Sequence, residues 1–353
     1  MTEFKSITGL TETEFSQYRV LLKNIFNKFG NDALIQDGDW FEFRDFYNYN
    51  ERDISDFKKS RLSFSNNSKH SFKEYVIFEN EKPEGWIAFK VYDNKCEFMC
   101  ELISDEINEN IFRKLLILSS QYMEETNFEC ISYWTHNERK DSVCKKFGLE
   151  PGYTMHISKL SRDDMKPEYW REIVKSNKEA ENFKLVFCHE IPEENYEEYV
   201  RFKNEINRDL KKSNPNGSMI PESTIDTLKE RIQRDRDGDD PYYNYILFNG
   251  NEIAAYNSVY VEISEKTVLN HNGALTAVNQ KYRGKNLAKY LKAKMYLKVF
   301  EDFKNIDAFY TDTYPENTYM YRINEELGFK QFRKEKNYII SKEFIKTLKN
   351  IDS

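Results

Sequence analysis

Residues 276–288 read Thr276-Ala-Val-Asn-Gln-Lys-Tyr-Arg-Gly-Lys-Asn-Leu-Ala288. Upstream, Thr267 to Val278 is rich in residues that favour a strand; downstream, Leu287, Leu291 and Met295 recur at helical spacing. The stretch is therefore a turn between a strand and a helix, with Gly284 inside it. A helix N-terminus leaves its first backbone N–H groups unpaired and carries partial positive charge. A residue without a side chain lets such a backbone come close to an anion, and phosphate is the usual occupant. The charges agree. From His271 to Phe300 there are seven Lys and Arg (Lys281, Arg283, Lys285, Lys289, Lys292, Lys294 and Lys298) and no Asp or Glu. The alternative is a solvated basic helix face.

Outward from this turn the chain says the same thing twice. Asn137, ten residues and Gly148-Leu149 precede an alternating segment, Tyr153 to Leu160. Asn317, ten residues and Gly328-Phe329 precede another, around Tyr338 to Ile340. Both landmarks are offset by 180 residues, which points to an internal duplication. The expected domains are 1–160 and 183–353, joined by a Lys-, Glu-, Asp- and Asn-rich connector over 161–182 that holds some helix.

Each half predicts strands, a helix, a strand and a short helix. In the first half the strands are Tyr75 to Phe78, Trp86 to Tyr92, Cys96 to Ile103 and Phe128 to Trp134. Ile111, Leu115, Leu118 and Tyr122 mark one helix, and Arg139 to Phe147 the next. In the second half Tyr243 to Phe248 and Glu252 to Ile263 flank Asn249-Gly250, a hairpin signal. Thr267 to Val278 and Asp307 to Thr313 are further strands. A last helix is expected over Pro315 to Leu327, with Thr313 and Glu316 at capping-box spacing. The fold class is α/β, two tandem domains each with a mixed sheet flanked by helices.

The whole chain is acidic, with 53 Lys and Arg against 60 Asp and Glu and a net charge of −7. The basic stretch is a local reversal, and a general nucleic-acid binder is not expected. At 353 residues the chain accommodates two domains of ~100–200 residues. Its 26 Phe, 24 Tyr and 4 Trp supply packed cores, which excludes whole-chain disorder. Only 12 Gly exclude collagen-like and Gly-rich architectures. No run approaches the ~18 apolar residues of a membrane span. Met1 to Leu10 lacks the apolar centre of a secretory signal, so the expected location is cytoplasmic. The five cysteines, Cys96, Cys100, Cys130, Cys144 and Cys188, form no Cys-x-x-Cys pair, so neither a disulfide framework nor a zinc site is expected. Asp235-x-Asp237-x-Asp239 lacks the Gly and Glu of a calcium loop and reads as a turn before Pro241. Trp40 to Tyr49, where aromatics alternate with charges, reads as a strand or wall. No metal is expected.

Arg283-Gly284-Lys285-Asn286-Leu287-Ala288, after a strand ending in Val278, resembles the phosphate loop of the GNAT acetyltransferase superfamily. The match holds at five of six positions; Asn286 stands where that family has glycine, and Asn tolerates the unusual backbone angles. Asn317 and Leu327-Gly328-Phe329 match a second landmark, and the whole looks most like tandem-GNAT proteins. The resemblance implies acetyl-CoA as co-substrate and the amine of a small molecule as acceptor. It implies cofactor contacts at Val278, Arg283, Gly284, Lys285, Asn286, Leu287, Ala288, Asn317 and Asn324. In the first half, the 180-residue offset puts Ile103 to Asn108 in place of the loop, and Asp105 and Glu106 would repel a pyrophosphate. That half is expected to have kept the fold and lost the cofactor.

Many members of this superfamily use a Tyr four residues before the Gly of Gly-Phe to protonate the leaving thiolate. Here that position is Asn324, which cannot serve. Tyr321, one helical turn after Asn317, is the substitute, and His271 and Glu262 are the candidate bases. A Fem-like aminoacyl transferase and a non-catalytic acyl-CoA-binding scaffold remain as alternatives; the basic loop favours CoA over aminoacyl-tRNA. The chain is expected to be a monomer or homodimer.

Overall fold

The computed structural model describes residues 2–34, 72–92, 95–102, 109–213, 222–237, 241–263, 266–270 and 274–349. The first half contains β1 (Thr2–Ser6), α1 (Glu12–Leu34), β2 (Phe72–Glu79), β3 (Lys82–Tyr92), β4 (Lys95–Leu102), α2 (Glu109–Thr126), β5 (Cys130–Thr135) and α3 (Glu138–Lys146). A long strand, β6 (Pro151–Ser161), carries the chain onward. Then come α4 (Pro167–Ser176), β7 (Lys184–Cys188), α5 (Tyr196–Ser213), α6 (Ile225–Asp237), β8 (Tyr242–Asn249) and β9 (Glu252–Glu262). β10 (Thr267–Asn270), β11 (Thr276–Val278), α7 (Leu287–Asp302), β12 (Ala308–Thr313) and α8 (Thr318–Glu326) follow. β13 (Lys330–Ser341) and α9 (Lys342–Lys349) end the chain.

The fold divides into two compact units, Met1–Tyr153 with Glu335–Ser353, and Thr154–Lys334. This cut differs from domains at 1–160 and 183–353, and the cause is strand pairing. In the first unit the strand order is β1-β2-β3-β4-β5-β13. Its last strand comes from the end of the chain: β13 runs antiparallel to β5 from Lys336↔Thr135 to Ser341↔Cys130. In the second unit the order is β6-β12-β10-β9-β8-β7, and its last strand is β6. β6 runs antiparallel to β12 from His156↔Thr313 to Ser161↔Ala308. Each half thus gives its closing strand to the other unit, in the same register: six pairs each, starting from a Thr at the end of the partner strand.

Residues 161–182 are not a connector. α4 begins with Pro167, whose missing N–H is harmless in the first turn. Its Trp170 is fully buried against the Tyr296 and Phe309 rings, so α4 belongs to the core of the second unit. On that face of the sheet α7 contributes Leu287, Leu291, Met295 and Val299, spaced four, four and four residues apart. The opposite face is covered by α5 and α6, through Tyr199, Phe202, Ile206, Leu228 and Ile232. In the first unit Ile111, Leu115 and Tyr122 of α2 pack with Phe89, Phe98 and Tyr133, joined by Tyr338 and Ile340 of β13. Cys96 and Cys100 lie in this core, as their apolar strand context predicts.

The local signals behave as their chemistry dictates. α1 opens with a reciprocal capping box: Thr11 Oγ1 accepts from Glu14 N (3.3 Å), and Glu14 Oε2 accepts from Thr11 N (2.9 Å). Asn249-Gly250 closes the β8–β9 hairpin, with Gly250 at φ +60°. The expected Thr313–Glu316 box on the last helix is replaced. Asn317 caps α8, its side chain accepting from Met320 N at 3.2 Å, and Asn137 caps α3 in the same way. Trp40 to Tyr49 and Ile103 to Asn108 lie outside the described residues.

Candidate active site

The site is built where one strand splits in two. Thr267 to Val278 reads as a single strand in sequence, but β10 and β11 have different neighbours. β10 pairs in parallel with β12 from Thr267↔Ala308 to Asn270↔Thr311, and antiparallel with β9. Among the described residues β11 pairs with β9 alone, Thr276↔Asn257 to Val278↔Ala255. Beyond Asn270 and Thr311 the sheet therefore opens into a fork between β11 and β12. A buried polar network closes the apex. Asn270 Oδ1 accepts from Lys292 Nζ (2.7 Å) and Thr276 Oγ1 (2.9 Å), and Asn270 Nδ2 donates to the Ser258 carbonyl (2.6 Å).

At the mouth of β11 the chain turns through Arg283 to Asn286 into α7. Gly284 has φ +82° with open space where a Cβ would stand. Asn286 is left-handed, at φ 56° and ψ 23°. Positive-φ residues on either side of Lys285 let the amides of the turn and of the first helical turn point outward. Among the described residues, the N–H groups of Gly284, Lys285, Asn286, Leu287 and Ala288 meet no acceptor. The side-chain cations are held back by carboxylates: Arg283 Nη2 donates to Asp209 (2.9 Å), and Lys285 Nζ to Glu179 (3.0 Å). Arg283 Nε also donates to the Val278 carbonyl at 3.2 Å, which ties the turn to the strand end. A cleft of about 350 Å³ lies against this loop, with Gly284, Lys285, Asn286 and Lys289 on one side and Asn177 and Glu179 on the other. Asn177 Nδ2 donates to the carbonyls of Lys285 and Asn286, both at 3.2 Å, which fixes the turn.

α8 follows β12 and overlooks its open end. Asn324 is buried; its Nδ2 donates to Thr313 Oγ1 (3.1 Å), and its Oδ1 has no partner among the described residues. Tyr321 is on the same helix face, and its hydroxyl is hydrogen-bonded to His156 Nδ1. His156 is the residue of β6 paired with Thr313. Burial pushes the Tyr321 hydroxyl up, with the Glu325 carboxylate adding to it. Burial and then Lys334 push the His156 imidazole down, against Glu316. Both groups are therefore held neutral near pH 7.

The two candidate bases fare differently. His271 lies outside the described residues. Glu262 is displaced from the role: it is 2% exposed, accepts from Thr267 Oγ1 (2.6 Å), and sits at the far end of β9. It lies seven positions along β9 from Ala255, the partner of Val278, roughly 23 Å at ~3.3 Å per residue. Two residues of the site had no place in the sequence reading. His156 was one alternating position in a strand, and only the exchange of β6 brings it to Tyr321. Lys292 was counted in a basic helix face, yet it is fully buried. Its spacing from Ala288, Met295 and Val299 places it on the apolar stripe, and that was the available signal.

No model of a known protein family matches the chain, and no curated protein matches it in sequence. Solved structures do match in three dimensions. A tandem GNAT protein from the clavulanic acid biosynthesis pathway, without AcCoA, superposes with a TM-score of 0.66 at 13% identity, covering 97% of this chain and 98% of that one. The chain has the tandem GNAT fold. A GCN5-related N-acetyltransferase from Sphaerobacter thermophilus gives a TM-score of 0.61 at 8% identity over 96% and 95% of the two chains. An acetyltransferase of the GNAT family from Colwellia psychrerythraea gives 0.50 at 11% identity over 96% and 100%. At such identities the likeness is one of fold, and what the chain does rests on its own residues. Among those described, no cluster of His, Cys, Asp and Glu could hold a metal ion, and no helix is long and apolar enough to cross a membrane.

Proposed function

We propose that the chain is an N-acyltransferase that moves an acetyl group from acetyl-CoA to the amine of a small molecule, using the second unit. The observation that carries this reading is the row of unpartnered amides from Gly284 to Ala288 at the head of α7, placed at the mouth of the β11–β12 fork. The residues present fit the group. The amides and the helix N-terminus suit a pyrophosphate, and the free edges of the fork suit an extended amide-bearing arm. The orphaned Asn324 Oδ1 offers such an arm an acceptor. When bound, acetyl-CoA supplies an activated acyl carbon and a thiol leaving group.

The chain's own residues then have three tasks. Gly284 to Ala288 bind the phosphates, with Arg283 and Lys285 exchanging their carboxylate partners for them. Val278, Asn317 and Asn324 orient the arm along the fork. Tyr321 carries the proton delivered to the departing sulfur, and His156 holds the hydroxyl and relays to it the proton that the amine gives up, so both groups end neutral. Calorimetry with CoA tests the reading: one site per chain is expected, and none in Gly284→Asp. Two equivalent sites, or unchanged affinity in that variant, would remove the loop from the function. Release of free thiol from acetyl-CoA across a panel of amines separates a transferase from a binding protein.

A further inference from the structure

Lys292 is the ionisable side chain of the apex network, and the proposed chemistry gives it no task. Its side chain is fully buried at the centre of α7, where a lysine is unfavourable unless paired. Among the described residues it has no carboxylate within ion-pair distance. Its Nζ reaches only neutral oxygens, Asn270 Oδ1 at 2.7 Å and Thr311 Oγ1 at 3.2 Å, and it lies 5.7 Å from the centre of the Phe329 ring. Two N–H groups of an uncharged amine satisfy those two acceptors. The third N–H that protonation adds has no acceptor among the described residues. Asn270 and Thr311 are the last paired residues before β11 and β12 part, so this unspent positive charge stands behind the closed end of the fork.

We propose that Lys292 is a positioning residue which, bridging Asn270 and Thr311, stabilises the thiolate form of CoA held in the fork. The inference rests on the reading that the fork takes a CoA arm. In acyl transfer the amine nitrogen bonds to the acyl carbon as the C–S bond breaks. The electron pair of that bond goes to sulfur, and the amine gives up one proton. A cation in a water-free wall lowers the free energy of the charge arriving on sulfur without itself transferring a proton. Burial brings the Lys292 ammonium down to about 7, against the pull of Asp312 on β12, so the charge is available at neutral pH and is strengthened by an anion nearby. No other titratable group on β9, β10 or β11 faces the amine among the partners described.

The test is spectroscopic and needs no acceptor. Reduced CoA is bound to excess protein, and the ultraviolet absorbance of its thiolate is followed with pH. Bound CoA should titrate at least about one unit below free CoA in the same buffer, a tenfold gain in thiolate at a given pH. In Lys292→Met, which keeps length and bulk, the thiol should return to the value of free CoA while calorimetric affinity for CoA changes little. A thiol pKa equal to that of free CoA in the wild-type protein overturns the proposal even if the variant does not fold. So does a lowered value that survives Lys292→Met. Absence of any CoA binding by calorimetry overturns the reading of the fork itself and is a separate outcome.

Discussion

Tyr321 on α8 and His156 on β6 share a hydrogen bond at the position where, in the other unit, Asp141 on α3 meets Lys336 on β13. Each pair joins the fourth residue after an Asn cap to the residue opposite the last Thr of the sheet's inner strand. In the first unit the position is filled by charges. Asp141 accepts from Lys336 (2.7 Å), Lys145 (3.0 Å) and Tyr338. In the second unit it is filled by two groups that are neutral at pH 7 and able to pass a proton. The same local scaffold thus holds a fixed ion cluster in the first unit and a hydroxyl–imidazole pair in the second.

If the pair carries the proton, Tyr321→Phe keeps the ring and its contacts and removes the hydroxyl. Turnover should fall ~10²-fold or more, with CoA affinity within about twofold of wild type. His156→Gln should fall by a similar factor, and the double variant by no more than either single one, because the two groups act as a unit. Steady-state kinetics of the three variants decide it. A fall under about 5-fold in Tyr321→Phe would assign the proton to water.

The loop makes a prediction of opposite signs at two neighbouring positions. Asn286 is left-handed, a conformation that L-residues occupy at some cost and glycine does not. Asn286→Gly should therefore keep CoA binding and raise stability by a few tenths of a kcal/mol, whereas Asn286→Val should lower it by ~1–2 kcal/mol. Gly284→Ala has room for its methyl group but not the backbone angle, so it should lower stability by about 1 kcal/mol. Thermal melts with and without CoA read both effects.

Much of this was legible in the sequence, and the rest was hidden for physical reasons. The duplication shows in Asn137 and Asn317, which cap equivalent helices, α3 and α8, and the loop shows in Gly284 and the basic run. The segments Tyr153 to Leu160 and Tyr338 to Ile340 read correctly as strands. Period-two alternation tells which face a residue takes, but not which strand it pairs with. The exchange of β6 and β13 was therefore invisible, and with it His156 and the true place of residues 161–182. The fork was hidden for the same reason: Thr267 to Val278 is one strand by composition, and only its partners divide it. Lys292 was misplaced because charge was counted along the chain instead of around the helix.

The ion cluster of the first unit has a pH signature. Burial disfavours the Asp141 carboxylate, but hydrogen bonds from Lys336, Tyr338 and Lys145 outweigh it and hold the group below the usual carboxylate range. A depressed carboxylate contributes stability that is present above its unfolded pKa, ~3.9, and is lost as pH falls through the lower folded value. Denaturant melts should show wild type losing more stability than Asp141→Asn between neutral pH and pH ~3. At neutral pH the variant should be weaker by about 1.5–3 kcal/mol, the range for a hydrogen bond to a charged group.

Lys292 should show the reverse. Its folded pKa of about 7 lies below the unfolded value of ~10.4. Below about 7 the amine is charged in both states, and the folded state bears the full desolvation. Between about 7 and ~10.4 the unfolded chain holds a proton that the folded chain has released, so stability contributed by this group rises with pH across that window. Lys292→Met removes both the penalty and the slope. Asn270 Oδ1 keeps Thr276 Oγ1 as a donor, so the network survives the loss. The variant should be more stable than wild type by about 1–4 kcal/mol at pH 6–7, as when buried charges give way to apolar side chains. The gap should narrow steadily toward pH 10, and urea melts across that range measure it. A variant that is less stable at every pH would mean that the amine holds the apex together by its hydrogen bonds alone. A more stable but slower enzyme would show that the charge is kept for the reaction and not for the fold.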